Sequence, residues 1–557
     1  MIERTAVETV VVNGRIHTQE RPGHTVEALA IAAGRIVARG TTAEILAFAP
    51  DARVFDCEGR AVLPGIVDSH CHPDMTGARV GRWHDFSVDV PKTRGDVLAA
   101  VRDALAGRPQ GVWFTGYRFD ERACGGYPPL EELDAAGGGR PVFLYRRDAQ
   151  MGLANTAALR AVGFDADAAD PPFGRIERDP ATGRPTGLLR ARAAHIVVEH
   201  IQAGYTPEDF RRGLVRVLDE YLSFGITSVH NSLTTSQAIA AYQTMRAEGE
   251  LKLRVGILAS GRDDALVRAV VRSGLRTGFG DEWLRLTGVE WVSDGSTSGR
   301  TAAYYDPYVG TPLVGEPADN RGSILLERAA YTERVAEAHR AGLIVCTDAI
   351  GDRAIDFVLD IYEDVLARDP RPDHRLRIEH CCAVTPPILE RLRRSGVVCS
   401  SATGFAHDLG DAYLDNRGAA AMRHMWPHRS MIDAGVMAPG HSDAPVCTAN
   451  PFAAISAMVN RRTASGRSLD PAEAVSVFEA VDAYTRLGAW CGREEHDKGD
   501  LSLGKLGDLC VLDRDPFAIP TEELAAVRVL ATLVGGRVMY DTRGADRDAA
   551  PEAGRSR

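Results

Sequence analysis

Hydrophobic and polar positions along the chain fall into three textures. Residues 8–61 read as short apolar strands broken by turn signals: ETVVVNGRIHT, ALAIAAGRIVARG and ARVFDCEGRAVL. The Asn-Gly and Ala-Gly pairs between apolar runs are hairpin signals, because both central residues of a tight hairpin turn take positive φ. The same texture returns only near the C-terminus, in GDLCVLDRDPF and VRVLATLVGGRVMYD. Two β-rich ends around a different middle predict one small β domain built from both termini.

The middle alternates strand-like and helix-like segments. Strands are predicted at 65–70, 225–231, 251–258, 286–295, 343–349, 376–381, 396–402 and 436–443, with amphipathic stretches such as PEDFRRGLVRVLDEYLSF and ERVAEAHRAG between several of them. Strand–helix alternation implies parallel βαβ units, and eight of them imply a closed (β/α)8 TIM-like barrel in an α/β protein. The gap between the first and second strands is too long for a loop. It predicts an inserted subdomain containing PVFLYRRDAQ and the turn-rich DPATGRPTGLL. The expected division is a β-sandwich with adjoining C-terminal helices from 1–61 and 445–541, a barrel from 62–74 and 205–444, an insertion over 75–204, and a polar, disordered tail over 542–557.

Composition narrows the partners. The chain has 557 residues, 45% hydrophobic and 25% charged, which is ordinary for a globular protein but too long for one simple core. Its net charge of −11 and lack of a basic block argue against nucleic acid and anionic membrane as partners. The start lacks a basic region followed by a long apolar core, and no apolar run is long enough to span a bilayer. Ten scattered cysteines without a Cys-x-x-Cys pair read as reduced, buried thiols of a cytoplasmic protein. No Walker-type glycine loop is present, and AAGGGRPV precedes a strand instead of joining strand to helix, which disfavours nucleotide and dinucleotide chemistry.

The chemistry gathers at one end of the predicted strands. In VDSHCHPD, strand alternation points His70 and His72 to the same face and turns Cys71 away. His230 closes the second strand, Glu290 and Asp294 the fourth, Asp348 the fifth, Glu379 and His380 the sixth, and Asp443 the eighth. One strand-end histidine or aspartate is usually a solvated cap. A converging set at the C-terminal face of a barrel is instead what a hydrolytic metal site needs, since imidazole and carboxylate bind divalent ions and an open position activates water.

VLPGIVDSHCHPD closely resembles the first-strand signature of the amidohydrolase superfamily. The likeness continues through GITSVHN, DGSTSGRTA, AIGDRAID, HRLRIEH, HSDAPV and GKLGDLCVLDRDP. The chain is most similar to the metal-dependent amidohydrolase family 3 branch, which includes N-substituted formamide deformylases. That resemblance implies a barrel, a small terminal β-sandwich and an insertion after the first strand. It also implies a metal site of an HxH pair, a carbamylated bridging lysine on strand four, histidines on strands five and six, and an aspartate on strand eight. His70, His72, His380 and Asp443 match directly. Glu290 stands at the lysine position and Asp348 at the strand-five histidine, and an Asp-Gly-His stretch of the insertion reads Asp148-Ala149-Gln150. Both ligand replacements remain ligand types: Glu290 supplies a bridging carboxylate without modification, while Asp348 adds negative charge. The set suits one or two divalent ions, zinc or, with its extra hard oxygens, manganese.

The implied activity is hydrolysis of a C–N bond, amide or formamide-like, in a small molecule by a metal-bound hydroxide, with Asp443 carrying the proton to the leaving nitrogen. His230 and Arg300 are candidates for substrate contact, Asp352 for the cap of the helix AIDFVLDIYEDVL, and Glu379 for a support turned away from His380. Tyr117, Tyr127 and Tyr145 are candidates for pocket walls or for packing. Decarboxylation or deamination on the same barrel, and a metal-poor binding protein, remain alternatives. A homodimer is an expected assembly.

Overall fold

A computed structural model of the chain describes residues 6–312 and 316–543. Its centre is a sheet of seven parallel strands: β1 (Ile66–Cys71), β2 (Ile226–Thr234), β3 (Arg254–Ser260), β4 (Leu284–Val292), β5 (Ile344–Ala349), β6 (Arg377–His380) and β7 (Val398–Ser401), each hydrogen-bonded to the next. All but the first residues of β4 and its last are buried, which explains why these segments read as apolar runs instead of alternating ones. Helices cover the outside. Pro207–Ser223 is typical: Thr206 and Asp209 form a capping box, Pro207 occupies the first turn, and Phe210, Leu214, Val217, Leu218 and Tyr221 bury one face.

The eighth strand expected at 436–443 is not a regular strand. It closes the gap between β7 and β1 as an irregular segment. Ser401 N donates to Pro439 O at 2.8 Å and Cys399 N to Met437 O at 3.0 Å on one side. On the other, Asp443 N donates to His70 O at 3.0 Å and His72 N to Ala444 O at 2.7 Å. These four bonds give a TIM-like barrel its closure.

Two further sheets form at the chain ends, one from N-terminal strands alone and one from both termini. A four-stranded sheet joins Arg35–Gly40, Ala28–Ala32, Thr9–Val12 and Arg53–Asp56; a six-stranded one includes Arg15–His17, Ala61–Pro64, Leu509–Leu512 and Val529–Val534. Val11, Leu29 and Ile31 from the first share one core cluster with Ile16, Val62, Leu509 and Leu533 from the second. Ala33-Gly34, at φ 48° and 75°, forms the expected hairpin. Asn13-Gly14 does not: it passes the chain from one sheet to the other, so the strands flanking it never pair. Between β1 and β2 lies a six-stranded sheet spanning His84 to Ala191, in which Phe143 and Tyr145 face one core cluster while Val142 and Leu144 face another. Tyr117 and Tyr145 are buried in the first of these clusters, and Tyr127 packs on the second. The expected disordered tail lies outside the described residues from 544 onward. Among the described residues, no helix is long and apolar enough to cross a membrane, and all ten cysteines are free and buried.

Candidate metal centre

The C-terminal ends of the barrel strands bring six of the expected residues together. His70, His72 and Asp443 offer ligand atoms within 4.8 Å of one another, as do His70, Asp348 and His380. All are buried. His72 Nε2 stands 3.0 Å and His70 Nε2 3.3 Å from Asp443 Oδ1, while His72 Nδ1 contacts Ser232 O at 3.1 Å. That last contact fixes the tautomer and leaves Nε2 for the centre. Glu290 belongs to neither triad. Its Oε1 lies 3.3 Å from His70 Nδ1, while Oε2 accepts from Ser232 Oγ and from Leu233 N at 2.9 Å.

Two strained backbone positions aim the ligands. His380 and Asp443 have φ of 66° and 56°, the left-handed region that costs about 1–3 kcal/mol for a non-glycine residue. At His380 this breaks the alternation of β6, so Glu379 does not turn away from the site. Glu379 Oε2 approaches His70 Nδ1 at 3.2 Å, and its carboxylate is held by Arg377 at 2.6 and 2.9 Å. The His380 ring stacks on Phe405 with centroids 5.3 Å apart.

The electrostatics fit a divalent cation. Burial opposes charging His70, yet Glu290 foremost, with Asp443 and Glu379, carries its pKa well above the usual imidazole range. Burial likewise opposes charge on His380, and Asp443 and Asp348 raise it. Burial pushes Asp443 upward, but His380, His70 and His72 hold it well below the ordinary carboxylate range. For Glu290 burial wins, reinforced by Asp348 and Glu379, and the acid is shifted well upward. Several buried carboxylates thus draw protons onto neighbouring imidazoles, supplying positive charge that a bound divalent ion would supply instead. Buried polar atoms also remain without an aligned hydrogen bond at the centre: His70 Nε2, His380 Nδ1, Glu290 Oε1 and Asp348 Oδ1. Such atoms are expected where an ion supplies the missing partner.

A cavity of about 30 Å³ opens beside Asp348, His380 and Asp443. Its other walls include Asp148 and Gln150 of the insertion, Ser296 and Ser298 after β4, and Phe405 and Tyr413. Asp148 is fixed by Arg146 at 2.7 Å and Ser296 Oγ at 2.8 Å. The departure Asp148-Ala149-Gln150 was the sequence signal for this wall.

His230 and Arg300 are not part of the centre. His230 Nε2 turns to Glu494 at 3.1 Å and its Nδ1 to Arg377 at 3.2 Å, inside the barrel. Arg300 is clamped by Glu316 at 2.7 Å, Val309 O at 2.6 Å and Asn416 at 3.1 Å, and ties its own loop together. Both candidates for substrate contact are therefore structural in this fold. Asp352 does not cap its helix either: Gly351 is the cap residue, and Asp352 accepts from Tyr305 N at 2.9 Å. Asp294 closes no ligand set; it accepts from Ala303, Ile350 and Gly351 amides at 2.9–3.0 Å, and burial lifts its pKa to about 7.

A barrel carrying paired histidine–aspartate triads at its strand ends defines the class of metal-dependent hydrolases. The family model described as the amidohydrolase family matches residues 53–540, and the chain belongs to that family. It is 28% identical to the N-substituted formamide deformylase of Arthrobacter pascens, over 96% of this chain and 99% of that protein. It is also 28% identical to the protein LONG AFTER FAR-RED 3 of Arabidopsis thaliana, over 96% of this chain and 91% of that one. An uncharacterised metal-dependent hydrolase from Pyrococcus furiosus superposes with a TM-score of 0.72 at 27% identity, covering 91% of this chain and 99% of its own.

Proposed function

We propose that the protein hydrolyses the C–N bond of an amide or formamide-like small molecule, releasing a carboxylic acid and an amine. The observation that carries this reading is the pair of buried triads, His70–His72–Asp443 and His70–Asp348–His380, beside a small cavity. A neutral imidazole offers one lone pair, so His70 serves one ion. His70, His72 and Asp443 would then hold a first divalent ion, zinc or manganese, and Asp348 and His380 would contribute to a second, with Glu290 beside the His70 ring. When bound, the metal supplies a Lewis acid for the carbonyl oxygen and lowers the pKa of water.

The chain's own groups do the rest. Asp443 accepts one proton from the attacking water and delivers it to the leaving nitrogen as the C–N bond breaks; the water oxygen stays on the carbonyl carbon. Glu379, fixed by Arg377, orients the His70 ring. The cavity beside Asp348, His380 and Asp443 is small, which suits a compact acyl group at the reacting carbon. Likeness to a formamide deformylase over nearly the full length supports the same bond class.

The test is metal content by plasma mass spectrometry on protein purified without chelator, followed by amine release from N-formyl, N-acetyl and larger N-acyl amines. One or two zinc or manganese ions per chain, with turnover falling as the acyl group grows, is the expected result. Metal-loaded protein that cleaves none of these amides but decarboxylates or deaminates would replace the proposed reaction. Protein that takes up no metal would point to a binding role.

A further inference from the structure

Among the described residues, the buried arginines have partners with one exception. Most are paired with carboxylates, as Arg254 is with Asp508 and Arg377 with Glu379, and Arg461 donates to three backbone carbonyls. Arg79 is only 2% exposed, yet no hydrogen bond or ion pair joins its side chain to any described residue. Its Nε is sealed from water, while the two terminal nitrogens, equally unpartnered, are not. Burying a cation without a counter-ion is strongly unfavourable, and aromatic faces return only part of the cost.

The surroundings point to what the guanidinium is for. Arg79 follows the short helix Pro73–Gly77 that begins at His72. Its guanidinium carbon lies 5.4 Å from the Trp83 ring centroid and 5.0 Å from that of Tyr145. Both rings are fixed, Trp83 Nε1 donating to Tyr205 Oη at 2.9 Å and Tyr145 Oη to Ala149 O. Ala149 stands between Asp148 and Gln150, which wall the cavity beside the metal centre. His195 Nε2 reaches the same carbonyl at 3.1 Å. Burial, then Arg262, hold that imidazole well below its usual range, so it is neutral. Arg262 is exposed in the loop after β3, and its charge acts on Tyr145 together with that of Arg79. The nearby acids are committed elsewhere: Asp74 accepts from Asn231 at 3.0 Å and Asp148 from Arg146 at 2.7 Å.

We propose that Arg79, assisted by Arg262, forms a carboxylate-binding site between the barrel mouth and the insertion. The planar fork of an arginine offers two parallel N–H donors to the two oxygens of one carboxylate. The site itself uses no metal ligand. Where the carboxylate belongs to the substrate, it lies on the amine half, because the small cavity takes the acyl half; that extension rests on the amide-hydrolysis reading above.

The experiment titrates chelator-stripped full-length wild type, Arg79→Met and Arg79→Lys with acetate at constant ionic strength, with chloride as control, following tryptophan fluorescence and Tm. Saturable binding to wild type, at least tenfold weaker in Arg79→Met and intermediate in Arg79→Lys, is expected. Without acetate, Arg79→Met should melt above wild type, because it removes a buried charge that nothing pairs. Wild type that does not bind acetate, or that binds inorganic phosphate more tightly, would overturn the proposal. So would an Arg79→Met variant that melts below wild type with acetate affinity within twofold, the outcome of a purely structural role. Turnover by the metal-loaded protein of two N-formyl amines differing only in a terminal carboxylate then identifies the source. A KM at least tenfold lower for the acidic compound, lost in Arg79→Met, places the carboxylate on the substrate; equal KM values, with acetate binding retained, make the ligand a separate small acid. Turnover of neither compound would count against amide hydrolysis and leave the site to the acetate titration.

Discussion

Replacing Arg377 by Met should destabilise the barrel more than any single loss at its surface. Arg377 and Glu379 are both fully buried, joined by hydrogen bonds of 2.6 and 2.9 Å, and Arg377 also reaches Ser69 O at 2.8 Å and His230 at 3.2 Å. Burial alone would push the Glu379 carboxyl upward; Arg377, the largest opposing influence, holds it well below the ordinary range. Removing one partner of such a pair leaves an uncompensated buried charge and costs about 3–5 kcal/mol. With an unfolding entropy of about 2.1 cal/mol/K per residue, 557 residues unfolding together carry about 1.2 kcal/mol/K, so the expected fall in Tm is about 3–4 °C. The assay is a thermal scan of wild type and variant in excess chelator, so that metal binding does not contribute. The double variant Arg377→Met, Glu379→Leu removes both charges and should recover most of the loss. It should still bind metal about 10–100-fold more weakly, because His70 Nδ1 has lost one of its two carboxylate partners and keeps only Glu290. A single variant within 1 °C of wild type, or a double variant no more stable than the single, would refute the argument.

Three further outcomes are expected. Glu290→Gln keeps acceptors for Ser232 and Leu233 but removes a charge from the centre, so metal and activity should fall together; full metal loading in this variant would exclude Glu290 as a bridging carboxylate. Asp443→Asn retains an oxygen donor beside His72 and should keep most of the metal, while turnover drops about 10²–10⁴-fold; unchanged turnover across the amide panel would remove it as proton carrier. His428 is buried against Ser401 Oγ at 3.0 Å, and burial, with Arg461 nearby, lowers its pKa to about 3. A histidine with a depressed folded pKa stabilises fully above its unfolded pKa of about 6.5, and that contribution fades as pH falls from there toward 3, at about 1.4 kcal/mol per pH unit. Urea midpoints between pH 5 and 6.5 should therefore rise more steeply with pH in wild type than in His428→Gln, and equal slopes would contradict the assignment.

The sequence by itself determined the barrel and the identity of most centre residues. Two histidines one residue apart share a face because the strand period is two, and a strand-end position carries that face to the mouth of a parallel barrel; His70 and His72 needed nothing more. The motifs around Glu290, Asp348, His380 and Asp443 placed the remaining acidic and imidazole groups on strand ends in the right order. Local turn chemistry was legible where one dipeptide decides the geometry, as at Ala33-Gly34. It failed at Asn13-Gly14, because pairing after a turn is decided by which sheet receives the next strand.

What only tertiary structure decided is where side chains go once long-range partners compete for them. His230 reads as a substrate contact until Glu494, 264 positions later, claims its ring, and Arg300 reads as another until Glu316 and Asn416 enclose it. Glu379 and His380 both face the interior because positive φ at His380 overrides alternation, a strain the surrounding barrel imposes and no local pattern announces. His441 read only as one polar residue of the expected eighth strand. Its place between His70 and His380 exists only because the barrel closes there, bringing residues about 60 and 370 positions apart within one imidazole's reach of each other.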